Sequence, residues 1–95
     1  MEEIKKIADH YGPMHQLRKA KEELEECSDA IDDVLHGNML DTDTLDHLAE
    51  EIADARIMLD QLEYLLDLSS QTTYWRAFKL LRQTCRIRGD DGGIV

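Results

Sequence analysis

Proline occurs once in this 95-residue chain, glycine five times, and aromatic residues make up 5% of it, so collagen-like and low-complexity classes are excluded. No apolar run approaches the roughly 20 residues needed to span a bilayer. Two cysteines, Cys27 and Cys85, are too few for a disulfide framework and read as reduced thiols. The stretch Met1–Lys6 has no apolar signal region, which with the reduced thiols leads to the expectation of a cytoplasmic protein. Positive charge is scarce: 11 Lys and Arg face 21 Asp and Glu, for a net charge of −10. A surface of that sign repels a phosphate backbone, so no direct nucleic-acid binding is expected.

The charge is unevenly spread. Residues 1–72 hold 19 acids and 6 bases, whereas residues 73–88 hold Arg76, Lys79, Arg82, Arg86 and Arg88 and no acid. An acidic body thus carries one basic terminal helix.

Periodicity is helical throughout. A short helix is predicted over 2–10, closed by Tyr11-Gly12-Pro13, with Pro13 suited to the first turn of the next helix. Leu17, Ala20, Leu24, Cys27, Ile31 and Val34 then step by 3 and 4 as a packing seam, up to a stop at Gly37-Asn38. Asp41-Thr42-Asp43 offers N-caps for a helix from about Thr44 to Leu66. Its seam is Leu45, Leu48, Ile52, Ala55, Leu59, Leu62 and Leu66. A polar connector over 67–72 leads to a last helix with Tyr74, Ala77, Phe78, Leu81 and Cys85 on one face. The fold class is all-α, an antiparallel helical hairpin with flanking helices. One domain is expected over 1–88, with a disordered tail over 89–95. So short a chain buries little apolar surface alone, so a homodimer or homotetramer completing a four-helix bundle is expected.

Both long helices carry paired acids. At 100° per residue, Glu23 and Glu26 share a stripe with Gln16 and Lys19 beside the first seam. Glu51 and Asp54 share the matching stripe of the second helix with His47, Met58 and Gln61. In an antiparallel hairpin the four carboxylates come to similar height, and their repulsion calls for counter-charge. Oxygen donors suit Mg²⁺, with Mn²⁺ as a substitute, and no Cys/His spacing supports zinc. The alternative is two solvated acidic faces paired with Lys19 and Arg56. His47 reads as an exposed helical histidine and Cys27 as a small core residue.

Glu22-Glu23-x-x-Glu26 followed by Glu51-x-x-Asp54 resembles the signature of the MazG-like all-α nucleoside triphosphate pyrophosphohydrolases. His10-Tyr11-Gly12-Pro13 with Gln16-Leu17, the block Glu50–Asp54 running into Ile57-Met58-Leu59, and Phe78-Lys79-Leu80 with Arg82 and Arg86-Ile87 resemble small single-domain members of phages and bacteria. Residues 10–88 carry the resemblance. It implies hydrolysis of a nucleoside or deoxynucleoside triphosphate between its α and β phosphates, in a bacterial cytoplasm or that of a phage host. Glu23, Glu26, Glu51 and Asp54 would be metal ligands, and Glu22 an outer acid helping to activate water. Lys79 and Arg82 would contact phosphates, and Gln16 and Lys19 the substrate. Glu25 and Arg56 depart from the family pattern, which favours neutral or small residues there. Two other readings stand beside this one: a non-catalytic acidic helical module, and a pyrophosphohydrolase for a different pyrophosphate such as phosphoribosyl-ATP.

Overall fold

The computed structural model describes residues 1–37 and 40–89. Three helices account for nearly all of them: α1 (Glu2–His36), α2 (Thr42–Leu65) and α3 (Ser69–Arg88). Among the described residues there is no strand, and no helix is long and apolar enough to cross a membrane.

Local chemistry sets the boundaries. α1 is two helical runs joined across a kink: Gly12 leaves the helical conformation at φ 82°, ψ 168°, values that are nearly glycine-only. Pro13 follows as the first residue of the new helical run, so the predicted break at Tyr11-Gly12-Pro13 is present as a kink. At the other end Gly37 is extended, and a Cβ there would lie 2.8 Å from the Asp33 carbonyl oxygen. Close approach, not a left-handed cap, therefore accounts for Gly37, while Asn38 lies outside the described residues. Asp41 caps α2, accepting from the Thr44 backbone N–H at 3.0 Å and from its hydroxyl. Both bonds hold the Asp41 carboxyl below its ordinary range.

The α2–α3 turn is tighter than the expected connector over 67–72. Asp67 adopts φ +55°, its N–H donates to the Tyr64 carbonyl, and the Leu68 N–H donates to that of Glu63. This is the paired bonding of a Schellman turn. Ser69 to Thr72 form the first turn of α3, where the Thr72 hydroxyl bonds to the Ser69 carbonyl and the Glu63 carboxylate. Gly89, left-handed at φ 82°, closes α3. The rest of the expected disordered tail, 90–95, lies outside the described residues.

α1 and α2 form the antiparallel hairpin. Tyr64 donates to the Asp9 carboxylate, and Gln16 meets Gln61. The pairs Gln16–Gln61 and Glu23–Asp54 are centred on the same point of the chain, so the register deduced from the acid pairs holds. The contact face, however, differs from the expected leucine seams. Ala8, Ala20, Ala30, Val34, Ala55 and Met58 are buried together with Gln16, Glu23, Glu51 and Gln61. Small side chains let the helix axes approach closely, which pulls the stripe beside them into the interface and leaves the bulkier leucines outside. Leu17, Leu24 and Ile31 on α1, and Leu45, Ile52, Leu59 and Leu66 on α2, stay 37–46% exposed.

α3 approaches α2 only and does not come near α1. Of its expected apolar face, Cys85 is buried and Phe78 half-buried, while Tyr74 and Leu81 are exposed. The Cα radius of gyration is 16.8 Å, against roughly 12 Å for a compact chain of this length. The single chain is a helical hairpin with a projecting third helix.

Candidate metal centre

Glu23 stands on α1 opposite Glu51 and Asp54, which lie one turn apart on α2. One carboxylate oxygen from each of the three lies within 4.8 Å of the others. Oxygens around a shared divalent cation, each about 2.0–2.6 Å from it, fall within that spacing. Glu23 and Glu51 are 9% and 7% exposed, and Asp54 is half-buried.

Each buried glutamate is answered on one oxygen only. Lys19 Nζ lies 3.2 Å from Glu23 Oε1, and His47 Nε2 lies 4.0 Å from Glu51 Oε1. The remaining oxygens, Glu23 Oε2 and Glu51 Oε2, are buried with no hydrogen-bond partner. A buried charged acceptor left in this state costs upward of about 1–3 kcal/mol. Two such oxygens from facing helices suit a cation with a preference for oxygen donors, and the donor set contains no soft ligand.

Glu26 lies beside this trio without joining it. The neighbouring Glu23 charge, lost hydration and the Glu51 charge hold its carboxyl above the ordinary range. The same negative surroundings raise Lys19 as well, by its bond to Glu23 first and then by the charges of Glu22, Glu23 and Glu26.

A cavity of about 570 Å³ opens next to the cluster. Its polar lining is Tyr11, His15, Gln16, Lys19, Glu22 and Gln61, and Ile7, Ile57 and Met58 form its apolar wall. The kink at Gly12 turns Tyr11 back so that its ring stacks on His15 at 4.7 Å and 16°. Behind that pair the Gln16 amide donates to Gln61 Oε1, and His15 Nδ1 lies 2.7 Å from Gln16 Oε1. The Gln61 amide nitrogen has no partner among the described residues.

Seven of the nine site residues expected from sequence therefore gather at one place: Gln16, Lys19, Glu22, Glu23, Glu26, Glu51 and Asp54. Lys79 and Arg82 do not. Both lie on α3, neither lines the cavity, and the Arg82 guanidinium sits over the Phe78 ring at 5.7 Å. Gln61 is the member to which sequence reasoning gave no role. Its place seven residues beyond Asp54, on the same stripe, is the signal that pointed to it. Tyr11 reaches the cavity only through the Gly12 backbone, which no helical wheel represents. Compared with family models, curated proteins and solved structures, the chain finds no match in any of the three.

Proposed function

We propose that this chain is a Mg²⁺-dependent nucleoside triphosphate pyrophosphohydrolase, releasing a nucleoside monophosphate and pyrophosphate. The observation that carries the reading is the pair of buried, unpartnered oxygens on Glu23 and Glu51, meeting Asp54 beside a cavity large enough for a small ligand. The resemblance of the acid blocks to the MazG-like enzymes selects this reaction among those a carboxylate-held cation serves.

Glu23, Glu51 and Asp54 would hold Mg²⁺, or Mn²⁺ in its place, with Glu26 alongside. When bound, that ion supplies charge neutralisation on phosphate oxygens and a lowered pKa for a water in contact with it. The chain's own residues do the rest. Lys19, bonded to Glu23 and lining the cavity, presents positive charge between the carboxylates and an incoming triphosphate. Glu22, exposed at the cavity edge, can accept the proton of the attacking water. Water adds to the α phosphorus as the bond to the oxygen bridging α and β breaks, and pyrophosphate leaves with that oxygen. The Tyr11–His15 pair offers a flat surface for a base, and the Gln61 amide offers a hydrogen-bond donor beneath it. Phosphate contacts from Lys79 and Arg82 would require α3 of another copy, because their own helix does not approach α1.

The test is pyrophosphate release from each common NTP and dNTP with Mg²⁺, with Mn²⁺ and with EDTA. Metal-dependent release is expected, with monophosphate as the second product. Glu51→Gln and Asp54→Asn should each lower turnover by more than the about 10–100-fold that loss of an outer-shell partner costs. Full activity in EDTA, or in either variant, would overturn the assignment.

A further inference from the structure

The hairpin core, otherwise made mainly of alanine, buries two glutamines side by side across α1 and α2. Gln61 is 2% exposed and Gln16 3%, and the Gln16 amide donates to Gln61 Oε1 at 2.6 Å. Gln16 Oε1 in turn lies 2.7 Å from His15 Nδ1. Both carbonyl oxygens of the pair are thus engaged. The Gln61 amide nitrogen is left over, with no partner among the described residues. Nor is it sealed in: the enclosed and unpartnered side-chain atoms among the described residues are Glu23 Oε2, Glu51 Oε2 and Arg82 Nε. Gln61 lines the cavity beside the carboxylates, so that nitrogen opens onto it. An amide nitrogen can only donate.

We infer that Gln61 reads the base of the nucleotide as a hydrogen-bond donor and selects a carbonyl oxygen at the edge remote from the sugar. Guanine, hypoxanthine, uracil and thymine carry that oxygen, whereas adenine and cytosine carry an amino group in its place. The inference rests on the nucleotide reading of the site and narrows its substrate class.

Position decides which edge is read. Gln61 lies two turns beyond Asp54, about 10 Å along α2 from the carboxylates. A triphosphate held at the carboxylates leads past Lys19 and Glu22 through the sugar to the base. The part of the base that reaches Gln61 is then the one farthest from the phosphates: the C4 substituent of a pyrimidine or the C6 substituent of a purine. The pyrimidine O2, common to uracil and cytosine, sits next to the sugar. The stacked rings of Tyr11 and His15 give the base a plane to lie against, and Ile57 and Met58, one turn before Gln61, add apolar wall.

A carbonyl oxygen completes the hydrogen bonding of the Gln61 amide. An amino group sets N–H against N–H and strands both donors away from water. A site built around such a bond rejects the mismatched analogue far more strongly than an apolar wall rejects a change of shape.

The triphosphates of inosine, adenosine and purine riboside, which has only hydrogen at C6, test this. With Mg²⁺, kcat/KM for the inosine compound is expected to exceed that of each of the others by about 10-fold or more. The same order is expected without turnover, when the three monophosphates are titrated in EDTA and the Gln61 side-chain amide is followed by NMR. Inosine-selective binding with no hydrolysis removes the proposed reaction and keeps the base reading. Hydrolysis at equal kcat/KM for inosine and adenosine triphosphates keeps the reaction and overturns the base reading. A preference for adenine, as a carbonyl oxygen facing the cavity would give, also overturns it, and so does purine riboside treated like inosine. Neither binding nor hydrolysis of any of the three overturns both. Gln61→Met should abolish the difference between inosine and adenosine, and Gln61→Glu, which still accepts from Gln16, should invert it. A purely structural role for Gln61 would lower both substrates together and leave their ratio unchanged. Should both variants lose their helical circular dichroism, the wild-type order of the three bases decides.

Discussion

Gln16 Nε2 donates to Gln61 Oε1 at 2.6 Å across the two long helices, with both side chains almost wholly removed from water. In a hairpin core made mainly of alanine, that bond fixes how α1 and α2 are rotated about their own axes. Its neighbours along α1 are the Tyr11–His15 stack on one side and Lys19 with Glu23 on the other. Cavity and carboxylates thus share one fixed point.

Gln61→Leu keeps the bulk and removes the acceptor. The buried Gln16 amide is then stranded, and a loss of about 1–3 kcal/mol is expected in urea unfolding. The variant also lacks the Gln61 amide donor, so if that donor meets the nucleoside, KM rises with kcat largely kept.

Glu51→Gln removes one of two facing buried charges. In EDTA its Tm is expected to equal or exceed that of the wild type, because repulsion and desolvation are relieved. Mg²⁺ should raise the wild-type Tm and leave that of the variant unmoved. Scanning calorimetry with and without metal separates the two effects, and a variant that is less stable in EDTA would contradict the proposed frustration.

Gly12→Ala meets no steric neighbour at its new Cβ, so any cost is backbone strain alone. At φ 82° and ψ 168° that cost is about 1–3 kcal/mol. Thermal unfolding followed by circular dichroism should show a lower Tm, and Tyr11 should lose its stack on His15, visible as altered aromatic chemical shifts.

Asp41 is held below its ordinary pKa by the Thr44 hydroxyl and N–H. A depressed carboxyl contributes stability that is complete above its unfolded pKa and lost as pH falls through the lowered folded value. The wild type should therefore lose stability in that acid window, and Asp41→Asn, which still caps, should lose less over the same range. Tm measured from pH 6 down to pH 2.5 checks this, with identical slopes counting against it.

The helices were legible because their ends carry specific chemistry: Gly12-Pro13, the Asp41 cap and Gly89. So was the register, since two acid pairs equidistant from a turn can face each other in only one way. The contact face was not. A hydrophobic wheel ranks Leu24 above Ala20, but close approach of two backbones rewards the smaller side chain, so Gln16 and Glu23 went inside and Leu24 stayed out. The length of α3 was also misjudged at its start, because Ser69, Ser70, Gln71 and Thr72 read as a linker although such residues serve a helical first turn equally well. Where α3 points was beyond the pattern altogether: its apolar positions mark a face and name no partner.

Asp67 has a mechanical consequence. Its left-handed backbone, held by the Tyr64 and Glu63 carbonyls, sets the direction of a 20-residue helix carrying all five bases of residues 73–88. A helix of that length is an arm about 30 Å long, so a change of about 10° at the turn sweeps its far end through roughly 5 Å. The reach of Arg82, Arg86 and Arg88 is thus governed by two dihedral angles at a residue that carries no positive charge itself.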